Sequence, residues 1–124
     1  MIEEDYVSFE TAKLLKEKGF PQSTFRCHYI IDGNVHYKSF ENRCGFGDYD
    51  IIAPTLAVAM KWLREVHNIN IDVVPIWNQK RFEYQIFVVT PENARHCYVD
   101  DKLYLGYEEA CEAAIKYCLE NFKL

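Results

Sequence analysis

Four histidines, five cysteines and two acidic pairs are the residues with which this chain could do chemistry. His28 and His36 are expected to share the outer face of a β-hairpin. A metal site needs three or four converging ligands, and neither a cysteine nor a carboxylate stands beside these two. They read as part of a solvated sheet face. His67 falls near the end of an expected helix, where the dipole explains it. His96 and Cys97 are adjacent, and a strand sends adjacent side chains to opposite faces, so they make no nucleophile–base pair. Asp48 with Asp50, and Asp100 with Asp101, are the acidic clusters outside helices. Two such carboxylates could serve a hydrolase, but aspartate is common in turns for conformational reasons. Gly45-Phe46-Gly47 lacks both the strand–glycine–helix context and the Lys-Ser/Thr of a phosphate-cradling loop. No P-loop, nucleophile elbow, H-E-x-x-H or EF-hand pattern occurs. The sequence therefore assigns no catalytic, cofactor-binding or metal-ligating residue, and an enzyme is the weaker expectation.

The elements that must carry these residues centre on Ala53 to Trp77. Leu56, Ala59, Met60, Leu63 and Val66 recur at helical spacing and form one apolar stripe, with Thr55 as cap. Asn68 tolerates left-handed geometry and ends the helix. Ile69, Ile71 and Val73 then alternate, so the chain has become a strand. Pro75 implies a sheet edge or the end of pairing, because proline has no N–H to donate. Upstream, Ser8 caps a helix from Phe9 to about Lys18. Gly19 and Phe20 are placed to close it in a Schellman motif with Leu15. The thin stripe of Phe9, Ala12 and Leu15 predicts a surface helix, partly exposed.

Phe25 to Phe40 reads as a hairpin around Asp32-Gly33-Asn34. A three-residue loop separates apolar from polar best, pairing Ile31 with Val35 and Tyr29 with Tyr37. That register leaves Arg26, His28, Ile30, His36 and Lys38 on the outer face. Glu41 to Ile52 is expected to be a loop. Asn78-Gln79-Lys80 turns the chain into a strand over Arg81 to Val89, followed by a loop over Thr90 to Arg95. His96 to Leu105 reads as a broken strand or a short hairpin. A last helix runs from Tyr107 to about Phe122, with Cys111, Ala114, Ile115, Cys118, Leu119 and Phe122 facing inward.

The fold class is thus α+β: a small single domain over residues 1–124, in the order α-ββ-α-ββ(β)-α. One mainly antiparallel sheet carries helices packed on one face, and the two ββα runs suggest a pseudo-repeat. A chain of 124 residues can bury a core without staples. The charged fraction of 27% and hydrophobic fraction of 49% are those of a globular protein, so disorder is not expected. A net charge of −5 disfavours nucleic acid, which needs a basic field, even though Arg26, His28, His36 and Lys38 gather on one face. With an acidic start and no long apolar run, neither a signal peptide nor a membrane span is expected. Cys27, Cys44, Cys97, Cys111 and Cys118 form no C-x-x-C pair and are expected as reduced thiols in a cytoplasm.

Three stretches carry a resemblance. Tyr6-Val7-Ser8-Phe9-Glu10 to Lys18-Gly19-Phe20 is the first. Ala53-Pro54-Thr55 through Trp62-Leu63-Arg64-Glu65 to Ile71-Asp72-Val73 is the second, and Tyr107-Glu108-Glu109-Ala110-Cys111 to Cys118-Leu119 is the third. Together they resemble a family of short uncharacterised proteins from gut anaerobic bacteria and their phage or mobile elements. The resemblance implies a shared fold and a cytoplasmic setting; it carries no activity, cofactor or site residue.

The function expected is a small non-enzymatic module that binds another protein or itself. The candidate partner surface comprises Arg26, His28, His36, Lys38, Trp62 and Trp77, since aromatics dominate binding hot spots. Trp62 has a competing reading, favoured on packing grounds, in which it lies beneath the hairpin or the first helix. The alternative function is a small-molecule-binding domain or hydrolase with a pocket near residues 41–52.

Overall fold

The computed structural model describes residues 2, 4–22, 28–31, 34–37, 51–99 and 102–124, with backbone alone for 28–31, 34–37 and 99. Helix α1 spans Phe9–Glu17. The Ser8 hydroxyl accepts from the Thr11 N–H at 3.2 Å. At the other end Gly19 takes φ +94°. Its N–H donates to the Lys16 carbonyl at 3.2 Å, and the Phe20 N–H donates to the Leu15 carbonyl at 2.9 Å. This is the expected Schellman closure. The helix is more deeply seated than its thin stripe predicts, because Thr11 is buried along with Ala12 and Leu15. These mostly small side chains let it lie against both the third strand and the last helix.

Strands β1 (His28–Ile31), β2 (Asn34–Tyr37) and β3 (Ile51–Ala53) form an antiparallel ladder in the order β2-β1-β3. The hairpin register corrects the sequence expectation: Tyr29 pairs with His36 and Ile31 with Asn34. Two residues, not three, separate the strands. Hairpins favour that spacing because the twist of primed two-residue turns matches the strands, and Asp-Gly is among the pairs that suit them. Strand β3 falls at the end of a stretch read as loop; its pairing with β1, from His28↔Ala53 to Ile30↔Ile51, is set by a distant partner. The Asp32-Gly33 turn, Gly45-Phe46-Gly47 and both acidic pairs lie outside the described residues.

Helix α2 (Leu56–His67) starts at Thr55, whose hydroxyl accepts from the Val58 N–H at 3.1 Å. It ends at Asn68, with φ 59°. Leu56, Ala59 and Leu63 are buried, but Val66 is 58% exposed. At about 100° per residue, Val66 lies about 80° around the helix from Leu56. The stripe therefore drifts off the core in the last turn. Strands β4 (Ile69–Ile76), β5 (Arg81–Val89) and β6 (Ala94–Val99) make a second antiparallel ladder in that order. Pro75 sits on its edge strand, as expected. Helix α3 (Tyr107–Asn121) buries Ala110, Cys111, Ala114, Ile115, Cys118 and Leu119.

The fold is α+β with antiparallel pairing, as the patterning predicts. Among the described residues the strands form two three-stranded antiparallel ladders. Each ladder is followed by a helix, so the chain is α1 plus two βββα runs, although the strand orders differ. Helices α2 and α3 lie on one face of the second ladder, against Ile69, Tyr84 and Ile86. The aromatic richness is spent largely on that seam. Tyr84, at the centre of β5, has Tyr98 and Tyr104 at 6.0 Å and Tyr117 of α3 at 6.5 Å between ring centroids. Tyr98 and Tyr117 stack at 3.9 Å. Among the described residues no helix is long and apolar enough to cross a membrane.

Candidate interaction surface

The surface that the second ladder leaves open begins with the parity of its strands. Residues Ile69, Ile71 and Val73 of β4 point inward, so Asn70, Asp72, Val74 and Ile76 point to the other face. Their partners there are Phe87, Gln85, Glu83 and Arg81. The face is mixed. Val74, Ile76 and Phe87 are half-buried among polar neighbours, and the Gln85 amide donates to Glu83 at 3.3 Å. His96 of β6 packs edge-on to Phe87, with centroids 4.9 Å apart. Among the described residues no helix packs on this face, since α2 and α3 occupy the other. At its end the β4–β5 turn holds Trp77, 86% exposed.

The edge of β4 can be read from two sets of hydrogen bonds. The Val89 N–H donates to the Asn68 carbonyl, and Phe82 exchanges both backbone bonds with Tyr104 on the far side of β5. Even-numbered β4 residues therefore bond to β5, and Ile69, Ile71, Val73 and Pro75 turn their backbone groups outward. Proline is tolerated at residue 75 because its missing N–H falls on the open side. None of the other three N–H groups has a hydrogen-bond partner among the described residues.

Of the two sequence-derived surface residues whose side chains are described, Trp62 and Trp77, the second is displayed to solvent. Trp62 is packed, edge-on to Phe20 at 5.4 Å and to His67 at 4.6 Å, so the packing reading holds. His28 and His36 do not fall on matching register positions, because the partner of His28 is Tyr37 and that of His36 is Tyr29. Arg26 and Lys38 lie outside the described residues, as do residues 41–50 of the alternative pocket. Sequence reasoning missed Phe87 and His96. The register Phe87↔His96 that joins them follows a β-bulge between Ile86 and Phe87, which alternation alone cannot reveal.

A cleft of about 370 Å³ opens elsewhere, between the N-terminal segment, α2 and α3. Asp5, Met60, Arg64, Tyr107, Glu108 and Cys111 line it. Burial pushes the Cys111 thiol up to about 11, against a hydrogen bond from Tyr107 that favours the thiolate. Tyr107 is itself raised, first by the neighbouring sulfur and then by burial. Both groups are protonated at neutral pH, and the cleft holds no thiolate nucleophile. Glu108 and Glu109 complement the positive end of α3. The Glu112 carboxylate accepts from the Ser8 N–H and so ties the start of α1 to α3. Among the described residues no group of three or more His, Cys, Asp or Glu side chains converges as a metal site would require.

No protein-family model, curated protein or solved structure matches the chain.

Proposed function

We propose that this protein is a non-catalytic interaction module that engages another polypeptide through the outer face and free edge of its second ladder. One observation carries the reading. Half-buried Val74 and Ile76 of β4 share the outer face with Phe87 of β5, exposed Trp77 follows in the turn after β4, and the odd-numbered β4 residues turn their backbone groups to the ladder's edge. Aromatic and aliphatic side chains ringed by polar ones have the make-up of a binding hot spot, and a strand edge without a partner among the described residues supplies directional hydrogen bonds. The setting that fits five cysteines without a C-x-x-C pair is a reducing cytoplasm, and the resemblance adds a phage or mobile-element origin to the proposal.

Photocrosslinking tests this reading. A benzophenone amino acid at residue 77 or 87 should yield a discrete crosslinked band in cells, while the same group at Lys13 on α1 should not. Equal labelling from all three positions, or none from any, would sink the proposal.

A further inference from the structure

Resting on that reading, we infer that the occupant of the β4 edge is a second copy of this chain, paired antiparallel about a two-fold axis through Ile71. Only residues whose backbone groups turn outward can exchange hydrogen bonds across such an edge, so the axis must pass through or between members of the set Ile69, Ile71, Val73 and Pro75. An axis at Ile71 faces Ile69 with Val73 of the second copy, Ile71 with its own counterpart, and Val73 with Ile69. Each of these pairs exchanges two N–H···O=C bonds, and every donor is present. An axis at Asp72 or Val73 draws Pro75 into the pairing and loses its missing donor twice. The axis at Asp72 also sets Asp72 directly against its own counterpart, where like charges repel. An axis at Asn70 sets Val73 opposite His67 at the end of α2 and keeps two outward-facing pairs, whereas the axis at Ile71 keeps three and brings only Pro75, with no donor to lose, to that position.

Charge completes the choice of register. With the axis at Ile71, Asn70 stands opposite Asp72 of the second copy, twice over, so an amide N–H meets a carboxylate on the outer face. On the inner face Ile71 and Val73, half-buried and packed against the core, gain apolar neighbours across the edge. The β6 edge is a poorer candidate, since its ladder shifts register at Ile86/Phe87 and it presents exposed Arg95 and His96. Asp72 and Pro75 thus bar the competing registers and spare one. Because the pairing is isologous it closes at two copies and does not propagate into fibres.

Sedimentation equilibrium up to millimolar chain concentration tests the inference, with circular dichroism as a check on folding. The wild-type chain should dimerise. Asn70→Asp sets Asp against Asp in both copies and should weaken the dimer by about tenfold at low salt, less at high salt. The swapped pair Asn70→Asp with Asp72→Asn restores a neutral–acidic contact and should restore the dimer. A strict monomer overturns the inference; if residues 77 and 87 still crosslink to another protein, the broader reading stands without it. A dimer indifferent to Asn70→Asp and lost on Trp77→Ala also overturns it, and moves self-association from the edge to the face.

Discussion

Leu63 and Val66 belong to the same apolar stripe of α2 in the sequence, yet the fold treats them in opposite ways, and truncating each to alanine measures the difference. Leu63 is fully buried in the hydrophobic core. Leu63→Ala removes three buried carbons, worth about 2.4 kcal/mol at about 0.8 kcal/mol each. The unfilled cavity raises the cost to about 3–4 kcal/mol, within the usual range for such changes. Val66 is 58% exposed. Val66→Ala removes two carbons that are more than half wet, a loss of about 0.6 kcal/mol, and alanine's better helix propensity returns about 0.5 kcal/mol. Urea denaturation monitored by circular dichroism should therefore show the Leu63 variant about 3 kcal/mol less stable and the Val66 variant within about 0.5 kcal/mol of wild type. In a thermal scan the first change should lower Tm by about 10 °C or more. Comparable losses at both positions would refute the packing of α2 described above.

Gly19→Ala places a Cβ in open space but at φ +94°, so backbone strain alone should cost about 1 kcal/mol in the same denaturation assay. Thr55→Ala removes the α2 cap and should cost about 1 kcal/mol, with Thr55→Ser retaining most of it. The Lys116 ammonium lies 2.8 Å from Glu10 and holds that carboxyl below its ordinary value, by hydrogen bond first and charge second. A folded-state pKa lowered in this way contributes stability that is complete above the unfolded pKa and lost as pH falls through the folded one. NMR titration of Lys116→Ala should accordingly show Glu10 returning towards its ordinary value, and an unmoved titration would contradict the pairing. Burial pushes Cys118 up to about 12 and Cys111 up to about 11, so both should resist alkylation at neutral pH until denaturant is added, as read by peptide mapping.

Much of this fold was legible because its signals are local. Ser8, Thr55 and Asn68 announce helix ends through their own hydrogen bonding or backbone preference, and Leu15 with Phe20 closes α1 as the spacing demands. Alternation over Arg81–Val89 marks β5 because one side of it meets helices. What escaped was set by partners distant in the chain. β3 is a strand because β1 lies beside it, and the first hairpin takes a register that its side-chain pattern does not favour. The candidate surface was legible only at Trp77. Two further members, Phe87 and His96, meet through a register that includes a bulge, and the outward parity of Ile69, Ile71 and Val73 emerges only from which strand β5 bonds on each side.

The two tryptophans have been sorted into opposite environments, Trp62 wedged against Phe20 and His67, Trp77 standing in water at a turn. The molecule thereby carries a pair of intrinsic fluorophores with separate duties. Emission from the first responds to melting of the interior, and emission from the second responds to whatever settles over the open side. A solute quencher such as iodide acts more strongly on exposed Trp77 than on half-buried Trp62, so occupancy and unfolding can be followed in one cuvette without a label.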